Sequence, residues 1–296
     1  MALKPGRPLL SQPQEERRSV VVSGTPRNYL ARLPRNYDKA VPAPLIVMLT
    51  EEGATTSAFE GRSDILGGAA KLGYVLALPE PQGSGWRHDV CKTADAGVPA
   101  AKPTKPASAR VTSAASAKKR DAASETTDAA ASDSGENQDV AFLRALIDDV
   151  TQRYAVDPHR VYLLGTDAGA ALAARAARTL SSKVAAVALN TSHSVCPSAH
   201  WELPASETAV PAFVVQAASV PASDAAAPEH PADPLGAWLE ANECTAPSNA
   251  GSRVEYDCKR GAVVRVQPDG QKRWPKKLGA LYTLRVIHNF FTNQTR

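Results

Sequence analysis

The sequence predicts an α/β fold with a mostly parallel central sheet and helices on both faces. Five short apolar runs have the length and composition of strands buried on both sides: residues 44–49, 73–78, 161–164, 184–189 and 211–216. Segments with helical periodicity or high alanine content separate several of these runs, as right-handed strand–helix–strand units require. The third observation is a Gly-bracketed turn at residues 165–169, which joins a buried strand to a helix.

The remaining elements follow in an order that fits this class. Residues 18–22 and 27–33 are strand-like and are separated by Gly24-Thr25-Pro26, which predicts a hairpin. Residues 253–258 and 262–266 alternate like a second hairpin late in the chain. Helices are predicted at four further places: residues 63–71, 140–150, 234–242 and 278–291.

One domain is predicted over residues 18–296, preceded by a flexible leader at residues 1–17. Residues 97–137 interrupt the pattern, because they are rich in Ala, Ser, Thr, Lys and Asp and contain no aromatic residue. Such a segment cannot bury enough apolar surface to offset its ordering entropy, which predicts a low-complexity, disordered surface loop. The α/β pattern resumes after it, so the loop is interpreted as an insertion into the domain.

Composition argues against several functional classes. The 296 residues are 43% hydrophobic, which is enough for a sizeable core, and the net charge is only +4. No basic run is interleaved with aromatic residues, so no nucleic-acid partner is expected. No stretch reaches the roughly 18 consecutive apolar residues of a spanning helix, so no membrane span is expected. No signal peptide is visible in residues 1–18, and the compartment is left open.

The chain has four cysteines, at Cys91, Cys196, Cys244 and Cys258. They lack C-x-x-C spacing and zinc-finger histidines, so neither a metal site nor a cofactor is expected. They are either four buried thiols or two disulfides. In the second case Cys244 and Cys258 are the candidate disulfide, because they lie closest together in the sequence.

The turn Gly165-Thr166-Asp167-Ala168-Gly169 has the frame of the nucleophile elbow, G-x-S-x-G. In that motif a strained turn presents a nucleophile at the top of an α/β sheet. Here a carboxylate, Asp167, holds the nucleophile position.

The order of motifs resembles the esterase/polyhydroxybutyrate depolymerase family of α/β-hydrolases, which includes feruloyl and acetylxylan esterases. The resemblance covers most of the chain and is carried by these segments: Arg27-Asn-Tyr-Leu, Leu33-Pro-Arg-Asn-Tyr37, Pro44-Leu-Ile-Val-Met-Leu, residues 139–150, Asp157-Pro-His-Arg-Val-Tyr, residues 238–244, Tyr256-Asp-Cys258 and Trp274-Pro275. It implies an α/β-hydrolase fold, ester hydrolysis by a Ser-Asp-His triad, and secretion, which is usual in that family.

The chain departs from that family at the residues that carry the chemistry. The serine, aspartate and histidine positions hold Asp167, Val220 and Lys272. The glycine-rich oxyanion loop corresponds to Thr50-Glu51-Glu52-Gly53, and Ala168 follows the nucleophile position. Oxyanion stabilisation needs N–H groups aimed at developing negative charge, whereas Glu51 and Glu52 would crowd the loop and add like charge.

These departures predict a pseudoenzyme with a binding or structural role, whose partner is an unknown protein or a small-molecule or acyl-carbohydrate ligand. Asp167 and Lys272 are hypothesised to form an ion pair across the former site. Two alternatives stay open. One is an active hydrolase that uses Asp167 or a relocated nucleophile, with His193 the best-placed histidine to activate water. The other is a subunit of a larger assembly.

Overall fold

In the computed structural model of this chain, the residues described are 14–50, 65–83, 85–87, 90–93, 137–166, 168–191, 199–201, 203–216, 234–245, 247, 253–266 and 278–296. Their strands are β1 (Glu15–Val22), β2 (Thr25–Arg32), β3 (Ala43–Leu49), β4 (Val75–Pro79), β5 (Cys91–Thr93), β6 (Val156–Thr166), β7 (Ala186–Thr191), β8 (Ala199–Trp201), β9 (Ala212–Gln216), β10 (Cys244–Thr245), β11 (Arg253–Cys258) and β12 (Val263–Val266). Their helices are α1 (Ile65–Lys71), α2 (Gln138–Arg153), α3 (Ala168–Thr179), α4 (Pro234–Ala241) and α5 (Leu278–Phe291).

Within these described ranges, ten strands form one sheet in the order β1-β2-β4-β3-β6-β7-β9-β12-β11-β10. Its six central strands, from β4 to β12, are parallel to one another. The strands at both margins are antiparallel. Strands β5 and β8 pair separately. The predicted mostly parallel sheet and both predicted hairpins are therefore confirmed.

The central strands are continuous apolar runs because both of their faces are buried. In β3, Leu45, Val47 and Leu49 point into one core, together with residues of α2 and α3. Ile46 and Met48 point into a second core, together with residues of α1 and α5. Helices therefore cover both faces of the sheet, as predicted.

The two cores are packed differently. Helix α3 presents mainly alanines, so its backbone lies close to the sheet. The opposite core is aromatic. The rings of Tyr162 and Phe291 stack with their centroids 4.3 Å apart, and the ring centroids of Phe213 and Phe290 are 5.4 Å apart. Small side chains thus set the helix position on one face, and large rings fill the space on the other.

Several element boundaries differ from the prediction. Strand β1 begins at Glu15, inside the segment predicted as a leader, because Glu15 pairs with Arg32 of β2 in the sheet and through an ion pair. Strand β6 begins at Val156 rather than at residue 161. A shift of register opposite residues 43–45 accommodates Pro158, which cannot donate a ladder hydrogen bond.

The end of the predicted insertion also moves. Asn137, placed in the insertion by its composition, is the N-cap of α2, where its side chain accepts hydrogen bonds from the backbone N–H groups of Asp139 and Val140. Residues 97–136 of the insertion lie outside the described residues.

The candidate disulfide is present. Cys244 of β10 and Cys258 of β11 are direct cross-strand neighbours and are covalently joined, with their Sγ atoms 2.01 Å apart. This bond fixes the margin of the sheet that lies farthest from β1. Among the described helices, none has the length and apolar character needed to span a bilayer.

Candidate functional site

The strand–turn–helix at residues 165–169 is held together by two glycines. A Cβ atom on Gly165 would lie 2.5 Å from Ala170 Cα, and one on Gly169 would lie 2.3 Å from the carbonyl oxygen of Leu49. Both distances are too short for any side chain. The glycines therefore let α3 start directly against the ends of β6 and β3, which is the backbone arrangement of a nucleophile elbow.

Gly169 also lies close to Thr50, the first residue of the segment predicted to correspond to the oxyanion loop. A Cβ atom on Gly169 would lie only 2.7 Å from the carbonyl oxygen of Thr50. Thr50 is buried, and the indole N–H of the buried Trp86 donates to the same oxygen over 2.9 Å. The end of β3 is thus fixed against α3 on one side and against Trp86 on the other. The sequence analysis assigned no role to Trp86.

A second anchor at this edge fixes the start of α2. Arg27 Nη2 lies 2.7 Å from Asp139 Oδ1, and both side chains are only 4% exposed. The backbone N–H of Arg87 donates to the other carboxylate oxygen of Asp139 over 2.6 Å. The Arg27 guanidinium also lies 4.3 Å above the ring of Phe142. A buried ion pair with its remaining groups hydrogen-bonded in this way avoids the cost of an uncompensated charge.

Both anchors lie at the carboxyl edge of the parallel strands. Strand β2 is antiparallel to β4, and Tyr29 is opposite Pro79, so Arg27 lies just beyond the end of β4. Trp86 and Arg87 lie in the loop that follows β4. Through their hydrogen bonds to Thr50 and Asp139, this loop holds the end of β3 and the start of α2 at fixed positions. In open α/β sheets this edge is where ligand and catalytic sites form.

Comparison with known proteins is consistent with this architecture. No family model and no curated protein sequence matches the chain. Among solved structures it resembles an S-formylglutathione hydrolase from Agrobacterium tumefaciens, with a TM-score of 0.51, 10% identity and 94% of each chain covered. It also resembles an acetyl xylan esterase from Aspergillus awamori, with a TM-score of 0.51, 11% identity, and 86% and 93% covered. The fold is that of the α/β-hydrolases.

The same fold is also part of longer proteins. The chain resembles a putative dipeptidyl aminopeptidase IV from Bacteroides ovatus with a TM-score of 0.53 and 10% identity. That match covers 95% of this chain but only 36% of the longer protein. At such identities the likeness establishes the α/β-hydrolase fold, and activity has to be argued from the site.

The described residues include two of the residues predicted for the site. Thr50 directly follows β3, and Ala168, which is partly buried, begins α3. Thr166 and Ala168 flank the nucleophile position on its two sides. The other predicted positions lie outside the described residues: Asp167, Val220, Lys272, Glu51, Glu52 and Gly53. The hypothesised ion pair between Asp167 and Lys272 stays a prediction.

Two histidine side chains belong to the described part of the chain, and both lie far from the elbow. His159 is exposed near the amino end of β6, whereas the elbow follows its carboxyl end. His288 of α5 places Nδ1 2.8 Å from the hydroxyl of Tyr74, which precedes β4. The side chain of His193, the predicted water-activating histidine, lies outside the described residues. Within the described ranges no group of three or more His, Cys, Asp or Glu side chains is arranged to hold a metal ion.

A cavity of about 850 Å³ opens at the opposite, amino edge of the sheet, between the start of β1 and the ends of β2 and α2. Its lining is polar and includes Gln14, Glu15, Glu16, Arg18, Ala31, Leu33, Tyr37, Lys39, Gln152, Arg153 and Tyr154. Glu16 accepts hydrogen bonds from Arg18 over 2.6 Å and from Tyr154 over 2.7 Å. Two further charges of the lining pair with residues outside it: Glu15 with Arg32, and Arg153 with Asp149.

Asp149 connects this cavity to the buried face of β2. Burial alone would raise the pKa of its carboxyl group, but hydrogen bonds from Tyr29 and Arg153 hold that pKa below its ordinary value. The same burial and the neighbouring carboxylate raise the pKa of the Tyr29 hydroxyl. Asp149 is thus an ionised structural acceptor, and its position at the amino edge separates it from the elbow.

Proposed function

We propose that this α/β-hydrolase is a catalytically degenerate relative of the esterase/polyhydroxybutyrate depolymerase family, which binds a ligand or protein at its former cleft without hydrolysing it. One observation carries the proposal. Gly165 and Gly169 keep the backbone of the elbow, while the sequence places a carboxylate, Asp167, where acyl transfer needs a hydroxyl.

The chemistry of the other replaced positions supports the same conclusion. A lysine at position 272 is a poor general base unless its pKa is strongly depressed, and Val220 has no group that could orient a base. Glu51 and Glu52 add negative charge beside the place where an oxyanion would develop. Because each part contributes orders of magnitude to the rate, their combined loss leaves negligible ester hydrolysis.

The retained architecture supports a binding role. The end of β3 is fixed by Trp86 and Gly169, and the start of α2 is fixed by Asp139. These contacts keep a formed carboxyl edge in which a small-molecule or acyl-carbohydrate ligand, or a protein segment, could be held. In the same proposal, the chain from β1 to α5 forms one domain and residues 97–136 are an insertion into it.

Turnover and active-site labelling test the proposal together. Purified protein is assayed with p-nitrophenyl acetate and p-nitrophenyl butyrate, and is treated in parallel with a fluorophosphonate probe for activated serines. We expect turnover at the background rate and no label. A functional serine esterase with the same fold serves as the positive control for both assays.

Two variants separate the alternatives. Turnover without label that disappears in Asp167→Asn would establish Asp167 as a nucleophile and contradict the proposal. Asp157→Asn is the matched control. Asp157 is the second residue of β6, at its amino end, whereas Asp167 directly follows the last residue of that strand. Labelling of the unmodified chain would instead identify a relocated serine. Calorimetric titration with acetylated xylo-oligosaccharides then tests the binding role directly.

A further inference from the structure

Arg178 is a buried cation that has no acidic partner among the residues that the structure describes. It lies in the last turn of α3 and is 8% exposed. Its Nε–H donates to the carbonyl oxygen of Pro204 over 3.0 Å, and its guanidinium lies 5.9 Å from the ring centroid of Trp238. The two Nη groups carry four further N–H donors, and no hydrogen bond joins them to a residue of the described chain.

A second arginine, Arg260, belongs to the same region. Trp238, which lies under the Arg178 guanidinium, and Asn242 both donate to the carbonyl oxygen of Val210, and the backbone N–H of Arg260 donates to Asn242. Arg260 lies in the turn between β11 and β12, and its side chain has no acidic partner among the described residues. Burial, together with the nearby charge of Arg260, lowers the pKa of Arg178. The carboxyl end of α3 supplies only about half of one negative charge. Within the described residues, most of this double positive charge is therefore left without compensation.

The backbone around the two arginines is held in place by hydrogen bonds. Thr208 Oγ1 donates to the carbonyl oxygen of Ser181 over 2.9 Å, which anchors the loop that carries Pro204. The side-chain amide nitrogen of Asn242 donates to the backbone carbonyl oxygens of Val210 and Gly261, and the backbone carbonyl oxygen of Asn242 accepts from the N–H of Arg260. The backbone that carries each arginine is thus fixed, which lowers the entropic cost of binding a ligand between them.

We propose that Arg178 and Arg260 form a binding site for a doubly charged oxyanion, of which inorganic phosphate is the simplest example. A dianion neutralises both guanidinium charges, and its several oxygens match the fork of N–H donors that the Nη groups of Arg178 present. The site lies at the amino edge of the sheet, because α3 starts at the carboxyl end of β6 and Arg178 is in its last turn.

Isothermal titration calorimetry with sodium phosphate near pH 7.5 tests this site, with sodium chloride at matched ionic strength as the blank. We expect saturable binding of phosphate. Arg260→Ala should weaken it about tenfold, because one charged partner is lost while the exposed position leaves the core intact. Arg178→Gln, which keeps a polar side chain beside Pro204, should weaken it at least as much.

Arg285→Ala is the matched control, because Arg285 is an exposed arginine on α5 and has an equal charge. Unchanged phosphate binding in this variant excludes an effect of net charge alone. Equal loss of binding in the control, undiminished binding in Arg260→Ala, or no saturable binding by the unmodified chain would each overturn the proposal. Acetate that binds as tightly as phosphate would overturn the requirement for a dianion.

Phenyl phosphate distinguishes the source of the oxyanion. Binding of both phenyl phosphate and phosphate supports a site that accepts a phosphoryl group on a larger molecule. Binding of phosphate alone supports a site for the free ion. The inference does not depend on the proposed function, because the elbow lies at the other edge of the sheet and Asp167→Asn should leave phosphate binding unchanged.

Discussion

The elbow and the start of α2 are two regions of the same sheet edge that are fixed by opposite means. At the elbow, Gly165 and Gly169 let backbones approach so closely that no side chain fits between them. At the start of α2, two fully paired charged side chains, Arg27 and Asp139, fill the space between β2 and the helix. The contact at the elbow depends on the absence of side-chain atoms. The contact at the start of α2 depends on hydrogen bonds that pair the buried charges of Arg27 and Asp139.

The comparison explains how this edge would keep its shape under the proposed loss of catalytic residues. The elbow contacts involve no functional group of the nucleophile, so replacement of that residue does not alter them. The Arg27–Asp139 contact involves none of the predicted triad positions either. The architecture and the reaction therefore depend on different residues, which fits a binding protein built on an α/β-hydrolase fold.

Loss of the charged anchor should have the largest effect. Asp139→Ala leaves the Arg27 guanidinium buried without its partner and frees the N–H of Arg87. We expect the free energy of unfolding to fall by about 3 to 5 kcal/mol. Urea denaturation measures this change. Glu255→Ala, which removes an exposed ion pair with Arg253, is the control and should change the free energy by less than about 0.5 kcal/mol. Similar effects of the two variants would contradict the buried-pair interpretation.

Addition of a methyl group at the elbow should have the next largest effect. Gly169→Ala places a Cβ against the backbone of residues 49 and 50, so the unfolding free energy should fall by about 3 kcal/mol. Gly236→Ala is the matched control, because Gly236 lies in helix α4 with nothing within 4 Å of the added atom. Helix propensity should stabilise this control by up to about 1 kcal/mol. Destabilisation of both variants alike would show that the elbow is not the tighter contact.

A covalent link extends the comparison to the sheet margin. Removal of the bond between Cys244 and Cys258 by the double substitution Cys244→Ser and Cys258→Ser should lower the unfolding free energy by about 2 to 3 kcal/mol, since the bond closes a short loop. Thermal unfolding with and without reductant measures the change. Addition of reductant should destabilise the unmodified chain more than the double variant, and equal responses would contradict the assignment.

The smallest effect should come from the packing of α5. Burial lowers the pKa of His288 below 6.5, so the folded state resists protonation of this imidazole. Above about pH 6.5 the imidazole is neutral in both states, so it does not lower the free energy of unfolding. That free energy falls as the pH drops from there towards the lower pKa of the folded state. His288→Gln should reduce the loss of thermal stability between about pH 7.5 and about pH 5.5. His159→Gln, at an exposed position, should leave that loss unchanged.

Much of the fold could be predicted from local sequence. Continuous apolar runs indicated strands buried on both faces, and the spacing of Gly165 and Gly169 indicated the elbow. The antiparallel pairing of residues 253–258 with residues 263–266 was also visible, as alternation. The start of β1 was missed because the residues at 15–17 are charged, and only their pairing with β2 makes them a strand.

The contacts that fix the edge could not be predicted in the same way. Arg27 and Asp139 are 112 positions apart, and nothing in the neighbourhood of either residue indicates the other. Trp86 is a single aromatic residue in a loop, and its bond to Thr50 depends on where β3 ends. Arg178 belonged to a helix predicted from its alanines, and its lack of an acidic partner among the described residues is visible only once the surrounding elements are in place.

The sequence by itself predicted the fold class, the elbow, the residues at the proposed triad positions and the pairing of Cys244 with Cys258 as a candidate. These features depend on composition, periodicity and spacing over a few residues. Only the tertiary structure decided which side chains meet across the sheet: Trp86 with Thr50, Arg27 with Asp139, and Arg178 with Pro204. The physical reason is that burial and hydrogen bonding between distant segments depend on the packing of whole elements, which no local pattern encodes.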